Sequence, residues 1–333
     1  MNLYSIFLFA LILLFSNIIN AKYVVHKHNK GKNDSYKDEL SYRFADANEA
    51  TDLLLSDRNY FESMNQNDLN YRLHKVNATL EELEQFIKSQ VLDFTDMDKA
   101  AIDKTIGLIK KNCEEHGYNL PFIDTIVFVK TTALEENNVK AYTHGTQIYL
   151  GEDLLKMAYQ EGGVEYFNQL IAHELFHCIT RNNPDFRRDM YSIINFTVLD
   201  HDIEFPKEVS DRIYSNPDVG HHNSYATFNI NGEERDCVVV LAITKDFEEE
   251  SDDIFNNYMI GLVPIDDLYS IYSFVEASNF WDVFGKNTYY AIDPEEVMAD
   301  NFSFTLIFGL DGIEYETPSI IESIDAYLKS YKH

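Results

Sequence analysis

The segment His173-Glu174-Leu175-Phe176-His177 has residue types and a spacing that could bind and use a metal ion. In an α-helix, residues four apart lie little more than one turn apart, so both imidazoles project from one face and can share an ion. Imidazole nitrogens are good zinc ligands. Glu174 could reach a metal-bound water and act as general base. The motif predicts metal-assisted hydrolysis, and the alternative is that both histidines are ordinary core residues of an apolar helix.

A second acidic segment, which begins at Asp293, could complete the site. Glu296 and Asp300 are four residues apart, so on a helix both carboxylates face the same way. We expect Glu296 to be the third metal ligand, with Glu295 as the fallback, and Asp300 to accept the remaining ring N–H of a metal-bound histidine. Asp293 and Pro294 would also make a good helix start without any metal, but capping does not explain Asp300.

Periodicity indicates the elements that must position these residues. An amphipathic pattern predicts a helix over residues 164–181, and Asp293-Pro294 begins another that extends to about residue 306. Two segments rich in β-branched residues, 123–130 and 139–150, predict strands just before the first of these helices. The same criteria predict helices at 77–94, 98–116 (with Thr95 as a cap), 153–160, 186–196, 318–331 and from Pro206, and strands 225–230 and 235–244 joined by Asn231-Gly232.

The HELFH helix and the downstream E-x-x-x-D helix resemble those of zincin metallopeptidases of the glutamate-ligand type, the thermolysin-like gluzincins. More narrowly, the chain is similar to uncharacterised secreted metallopeptidases. The resemblance implies one zinc ion bound by His173, His177 and Glu296, with Glu174 as catalytic base and Asp300 hydrogen-bonded to a zinc-bound histidine. These specific matches cover roughly 15 residues, within a compatible order of elements over residues 122–310.

The resemblance also implies an α+β fold with a zincin-like metallopeptidase domain, in which a small sheet packs on the HExxH helix. Residues 139–150 would be the edge strand of that sheet and would bind a substrate backbone by strand addition. We expect a signal peptide at 1–21, a flexible leader at 22–42, an N-terminal helical region at 43–118 and the catalytic domain at 119–333. We expect the helical region to be an integral half of the fold, with a regulatory prodomain as the alternative.

The chain departs from the gluzincin pattern in the long spacer between the two site helices. Residues 182–290 contain the expected hairpin and several helices, which requires an inserted subdomain at about 183–290. No residue clearly matches the tyrosine or histidine that stabilises the oxyanion in such enzymes. The candidates, each with an ordinary structural explanation as well, are His221, His222, Tyr225, Tyr289 and Tyr290.

The amino-acid composition limits the classes of molecule that this protein could bind. The chain has 27 Lys and Arg against 56 Asp and Glu, a formal net charge of −29 that would repel nucleic acid and anionic lipid. We therefore expect no nucleic-acid partner, and no membrane partner once the signal peptide is removed. Three cysteines, Cys113, Cys178 and Cys237, are too few for a disulfide framework, which leaves one bridge or buried free thiols.

The N-terminal apolar run at residues 3–19, followed by Ala21, predicts export to a secreted or periplasmic location. The run lacks a preceding Lys or Arg, so an uncleaved membrane anchor is the alternative. The sequence thus predicts an exported zinc endopeptidase that acts on a peptide or protein substrate through a zinc-activated water. The alternatives are a non-catalytic zincin-fold binding protein or effector with a structural metal or none, and a zinc hydrolase of a non-peptide amide.

Overall fold

The structure is a computed structural model that describes residues 40–332. The expected signal peptide and leader residues 22–39 lie outside the described residues. The first strand begins at Tyr42, the last residue of the expected leader. Within residues 40–332 no helix is both long enough and apolar enough to cross a membrane.

The first sheet is mixed and lies beside the helix that carries the HExxH motif. Strands β1, β3, β5 and β4 follow one another across it; β1 and β5 run parallel to β3, β4 is antiparallel to β5, and β2 pairs antiparallel with the end of β3. The expected helical region at 43–118 therefore also contributes strands to this sheet. The strands are β1 (Tyr42–Phe44), β2 (Val91–Leu92), β3 (Ile126–Thr131), β4 (Ala141–His144) and β5 (Gln147–Gly151).

Twelve α-helices lie among the described residues. Before the first long strand come α1 (Ala47–Leu54), α2 (Arg58–Ser63), α3 (Gln66–Leu73), α4 (Leu80–Lys88) and α5 (Asp96–His116). The HExxH region follows with α6 (Glu152–Met157), α7 (Val164–Asn182), α8 (Pro184–Ser192) and α9 (Lys207–Ser210). The chain continues to α10 (Phe280–Phe284), α11 (Pro294–Phe308) and α12 (Pro318–Ser330).

The second sheet is antiparallel and lies within the expected insertion. Its strands are β6 (Thr197–Val198), β7 (Ser224–Ile230), β8 (Glu233–Ile243), β9 (Tyr258–Pro264) and β10 (Tyr272–Ser273), in the order β10-β9-β8-β7-β6. The predicted hairpin is confirmed, since Ile230 pairs with Glu233 across Asn231-Gly232. Both turn residues have positive φ, 53° and 94°, as a tight two-residue hairpin requires. The fold is thus α+β, with one mixed and one antiparallel sheet.

Two predicted elements are wrong in detail. Residues 139–150 are not one strand but the β4–β5 hairpin, because Gly145, with φ of 57°, reverses the chain. The edge strand is therefore β4. The helix expected over 77–94 ends at Lys88, and Val91 then pairs with Thr131, because the sheet offers these β-branched residues a partner that helical periodicity cannot reveal.

The two helices that carry the site residues, α7 and α11, pack against each other in the main core. Ten consecutive residues of α7, 171–180, and thirteen of α11, 294–306, are buried. Helix α7 also contacts β4 and β5, and α5 contacts both α7 and α11. A helix buried on all sides must satisfy its polar side chains within the protein, so the charged residues of α7 and α11 need partners close by.

Candidate metal centre

His173, His177 and Glu296 form a buried group that could hold a metal ion, with one ligand atom from each residue within 4.8 Å of the others. Glu296 Oε2 lies 3.1 Å from Nε2 of His173 and 3.6 Å from Nε2 of His177. The two imidazole rings have centroids 4.7 Å apart. Residues separated by more than a hundred positions meet because α11 packs along α7. This is the donor set of two imidazoles and one carboxylate that zinc accepts.

The other nitrogen of each imidazole is hydrogen-bonded to a carboxylate on α11. Asp300 Oδ1 lies 2.9 Å from Nδ1 of His173, and Glu295 Oε1 lies 3.0 Å from Nδ1 of His177. Thr288 donates to Asp300 at 2.5 Å, and Tyr191 donates to Glu295 at 2.5 Å. Each ring is therefore held by a carboxylate that is itself hydrogen-bonded, the arrangement found behind metal-bound histidines.

These contacts decide which nitrogens face the centre. In the neutral form that binds a metal, a ring proton on Nδ1 is donated to the neighbouring carboxylate and Nε2 carries the lone pair; the Nε2 atoms of His173 and His177 lie 3.1 Å and 3.6 Å from Glu296 Oε2. Three electron-rich atoms that converge repel one another unless a cation lies between them. Nε2 of His177, moreover, is buried with no hydrogen-bond partner among the described residues. The residues present therefore fit a bound metal ion.

The pKa values of His173, His177 and Glu296 also indicate that this group favours a bound positive charge. Burial alone would lower the pKa of His173, but hydrogen bonds to Asp300 and Glu296 outweigh it and raise the pKa to about 10. Burial likewise opposes protonation of His177, while Asp218, Glu295 and Glu296 raise its pKa. Burial raises the pKa of Glu296, but its hydrogen bond with His173 and the proximity of His177 lower it overall. Protons or a metal ion can supply the missing charge.

Glu174 lies next to this group and is buried, with 2% of its surface exposed. Its Oε2 has no hydrogen-bond partner among the described residues. Burial, and then repulsion from Asp218, raises the pKa of Glu174 to about 8. A cation bound by His173 and His177 would lower that pKa, because it stabilises a nearby carboxylate. An unpartnered carboxylate beside the ligands is chemically suited to accept a proton.

The five oxyanion candidates lie in different surroundings. Tyr290 lies nearest to the metal ligands, with its ring centroid 6.3 Å from that of His173. His221 is exposed and pairs with Asp202, and Tyr289 is 44% exposed and packs edge-on against Trp281. Tyr225 is paired with Thr197 in the second sheet, and His222, whose pKa burial lowers to about 4, packs against Phe205.

Sequence reasoning missed one acidic residue, Asp218, and assigned a different role to another. Glu295 was expected as a fallback ligand, yet it accepts the His177 ring N–H; the matching role of Asp300 toward His173 could have suggested this. Asp218 is buried, and one of its carboxylate oxygens lies within 4.8 Å of atoms of Glu174 and His177. Nothing in the sequence distinguishes Asp218 from the other acidic residues, because it lies in a turn between predicted elements.

Comparisons of the chain with protein-family models, curated proteins and solved structures find no match. The geometry shows a buried group of two histidines and a glutamate that could hold a metal ion. The three cysteines are free thiols, with Cys178 and Cys237 buried and Cys113 partly buried.

Proposed function

We propose that the protein is an exported zinc-dependent endopeptidase of the zincin type. The observation that carries the proposal is the convergence of His173, His177 and Glu296 around one point, with the unpartnered carboxylate of Glu174 beside them. A structural metal site does not need this fourth group. A hydrolase does, because a water molecule must lose a proton before it can attack a peptide carbonyl.

The roles of the chain's own residues follow from their contacts. Zinc, when bound, would polarise the scissile carbonyl and lower the pKa of water to about 7. Glu174 takes the proton from the attacking water and passes it to the leaving amine. Glu295 and Asp300 hold the two imidazoles in the tautomer whose Nε2 is free to bind. Tyr290, beside His173, is the candidate to stabilise the developing oxyanion.

Replacing the proposed base tests the catalytic role. We expect Glu174→Gln to retain zinc but to lower hydrolysis of a mixed peptide library by roughly 100- to 10,000-fold, since the amide cannot accept the proton. The matched control is Glu161→Gln, which changes an exposed glutamate just before α7 and should leave turnover unchanged. Wild-type turnover in Glu174→Gln would contradict the assignment.

Replacing the proposed ligand tests the metal site separately. Glu296→Gln should reduce the zinc content of the purified protein, measured by atomic emission, because the variant loses the anionic ligand that faces both histidines. Unchanged zinc stoichiometry would place the third ligand elsewhere. The proposed export is tested independently by fractionating cells that express the full chain and sequencing the mature N-terminus.

A second candidate is a non-catalytic zincin-fold binding protein with a structural metal. The position of Asp218 favours it, because a carboxylate near His177 could fill the coordination position that catalytic zinc sites keep open. Stoichiometric zinc without cleavage of any peptide in the library would support this candidate. Cleavage restricted to non-peptide amides would instead indicate a hydrolase of another substrate class.

A further inference from the structure

The metal centre is covered by residues 214–219, the plug segment. Asn216 Nδ2 donates to Glu296 Oε1 at 2.5 Å, on the carboxylate whose other oxygen faces the histidines. Pro217 and Asp218 form a turn, in which the Asp218 N–H donates to Asn216 Oδ1 at 3.0 Å. The Asn216 side chain therefore contacts the centre and is held there by this turn.

The plug segment also occupies the free edge of the first sheet. Thr143 lies in β4, which pairs only with β5 in this sheet among the described residues, so alternate N–H groups of β4 face away from the sheet. The N–H of Thr143 donates to Asp218 Oδ1 at 2.7 Å, and its hydroxyl donates to the same oxygen at 2.7 Å. This N–H is a group that an added substrate strand would need.

The Asp218 carboxylate also approaches the metal group. One of its oxygens lies within 4.8 Å of a ring nitrogen of His177 and of a Glu174 oxygen. Because Nδ1 of His177 is already hydrogen-bonded to Glu295, only Nε2 remains for a metal. The set of Glu174, His177 and Asp218 and the set of His173, His177 and Glu296 share this nitrogen, so both would bind the same ion. Asp218 is the additional carboxylate within reach of that ion.

We propose that Asp218 is the fourth protein ligand of the metal site in a closed state, and that the plug segment must move away from the centre and from β4 before a peptide can bind. This inference rests on the proposed peptidase function. A zinc ion with four protein ligands has no open position for water, as in structural sites. In this state the protein is latent, because one side chain blocks both the ion and the substrate edge.

The plug segment is held by hydrogen bonds from two arginines, Arg181 and Arg72. Arg181, one turn beyond His177 on α7, donates to the carbonyl of Pro217 at 3.0 Å and to the Thr143 hydroxyl at 2.9 Å. At the start of the segment, Arg72 donates to the carbonyl of Ser215 at 2.9 Å. The hydrogen bonds of the partly exposed Arg181 can be exchanged for water, so the segment can open beyond the anchored Ser215 without breaking a covalent bond.

The experiment compares the wild-type chain with Asp218→Asn, which keeps the size and an oxygen acceptor for Thr143 but removes the anionic ligand. The control is Asp200→Asn, an exposed aspartate. Zinc affinity is measured by competition with a chromophoric chelator, coordination by the visible spectrum of the Co²⁺-loaded protein, and access by peptide hydrolysis at saturating zinc. We expect about tenfold weaker zinc binding, a changed cobalt spectrum and faster hydrolysis in Asp218→Asn alone.

Each other result has a distinct meaning. An unchanged cobalt spectrum and zinc affinity would overturn the role of Asp218 as a metal ligand. Weaker zinc binding without faster hydrolysis, in a protein that does cleave peptides, would overturn the proposal that the plug segment blocks peptide binding. Both leave the peptidase proposal intact. If neither protein cleaves any peptide although both bind zinc, the peptidase proposal itself fails. Should Asp218→Asn not fold, Asn216→Ala removes the contact with Glu296 and should also raise hydrolysis; an unchanged rate overturns the plug.

Discussion

The described residues include a cluster of buried charge around Arg72 and another around His177, which differ in the source of positive charge. Every nitrogen of the Arg72 guanidinium has an acceptor: Nε pairs with Glu136 at 2.9 Å, Nη1 with Asp68 at 3.1 Å, and Nη2 with the Tyr60 hydroxyl at 2.7 Å and the carbonyl of Ser215 at 2.9 Å. The side chain of Arg72 is fully buried.

The cluster around His177 is the opposite case. Glu174, Asp218, Glu295, Glu296 and Asp300 all lie close to the two histidines, and two atoms of the cluster, Glu174 Oε2 and His177 Nε2, have no partner among the described residues. Buried polar atoms without partners are costly. In the Arg72 cluster the protein supplies the cation, whereas in the His177 cluster the nearby Arg187 lies 3.8 Å from Glu295 and the unpartnered atoms of Glu174 and His177 could take a cation from solution.

The two clusters are linked through the plug segment. Asp68 accepts the Ser215 N–H at 2.8 Å while Asn216, the next residue, donates to Glu296. The Arg72 cluster thereby helps to fix the segment that covers the metal centre. An ion cluster whose groups are all paired anchors the chain, whereas a cluster with unpartnered buried atoms could take up a cation.

The largest effect is expected where the protein's own cation is removed. Arg72→Met should lower the free energy of unfolding by about 3–5 kcal/mol, because Asp68 and Glu136 would remain buried without their partner. Urea denaturation in the presence of a chelator measures this directly. The control Arg58→Met removes a half-exposed guanidinium from Glu62 and Glu84 and should cost far less, because solvent screens surface ion pairs. Equal losses in both variants would contradict the comparison.

An intermediate effect is expected from the carboxylates behind the histidines. Asp300→Asn should weaken zinc binding roughly 10- to 100-fold, about 1.4–2.7 kcal/mol, because the amide is a poorer acceptor for the His173 ring N–H. Glu295→Gln should have a similar effect through His177. Chelator competition measures the affinity, with the exposed Asp153→Asn as control. Zinc affinity equal to wild type in both site variants would show that these carboxylates do not support a metal.

The smallest effect concerns Glu135, the neighbour of the paired Glu136. Glu135 accepts from the Tyr142 hydroxyl at 2.8 Å, but its other oxygen has no partner among the described residues. Burial raises its pKa to about 6. Because the folded-state pKa is above the unfolded value, the proton-linked stability is complete below about pH 4.5 and is lost as pH rises through 6.

Glu135→Gln should abolish this pH dependence. When the pH rises from 4.5 to 7.5, the unfolding free energy of the wild type should fall by about 1–2 kcal/mol relative to that of the variant. Urea denaturation at both pH values, with chelator present throughout, gives the difference. Parallel pH profiles for the two proteins would mean that Glu135 does not carry a raised pKa in the folded state.

Local signals in the sequence predicted the elements that hold the site. The α7 and α11 helices follow from amphipathic or Pro-initiated patterns, and Thr95 and Asp98 form the capping box at the start of α5. Helix patterns and caps depend on residues within one or two turns, so they can be read without tertiary information. The β4–β5 hairpin was missed, because residues on both sides of Gly145 suit a strand equally well and only pairing reveals the reversal.

By itself, the sequence determined that His173 and His177 share one helix face with Glu174 between them, and that Glu296 and Asp300 share another. Helical geometry dictates those relations. Only the tertiary structure decided that the two faces meet, which ring nitrogen each carboxylate contacts, and that Asp218 lies beside the centre. Such contacts join residues more than forty positions apart, and they depend on how whole helices and loops pack, which no local pattern encodes.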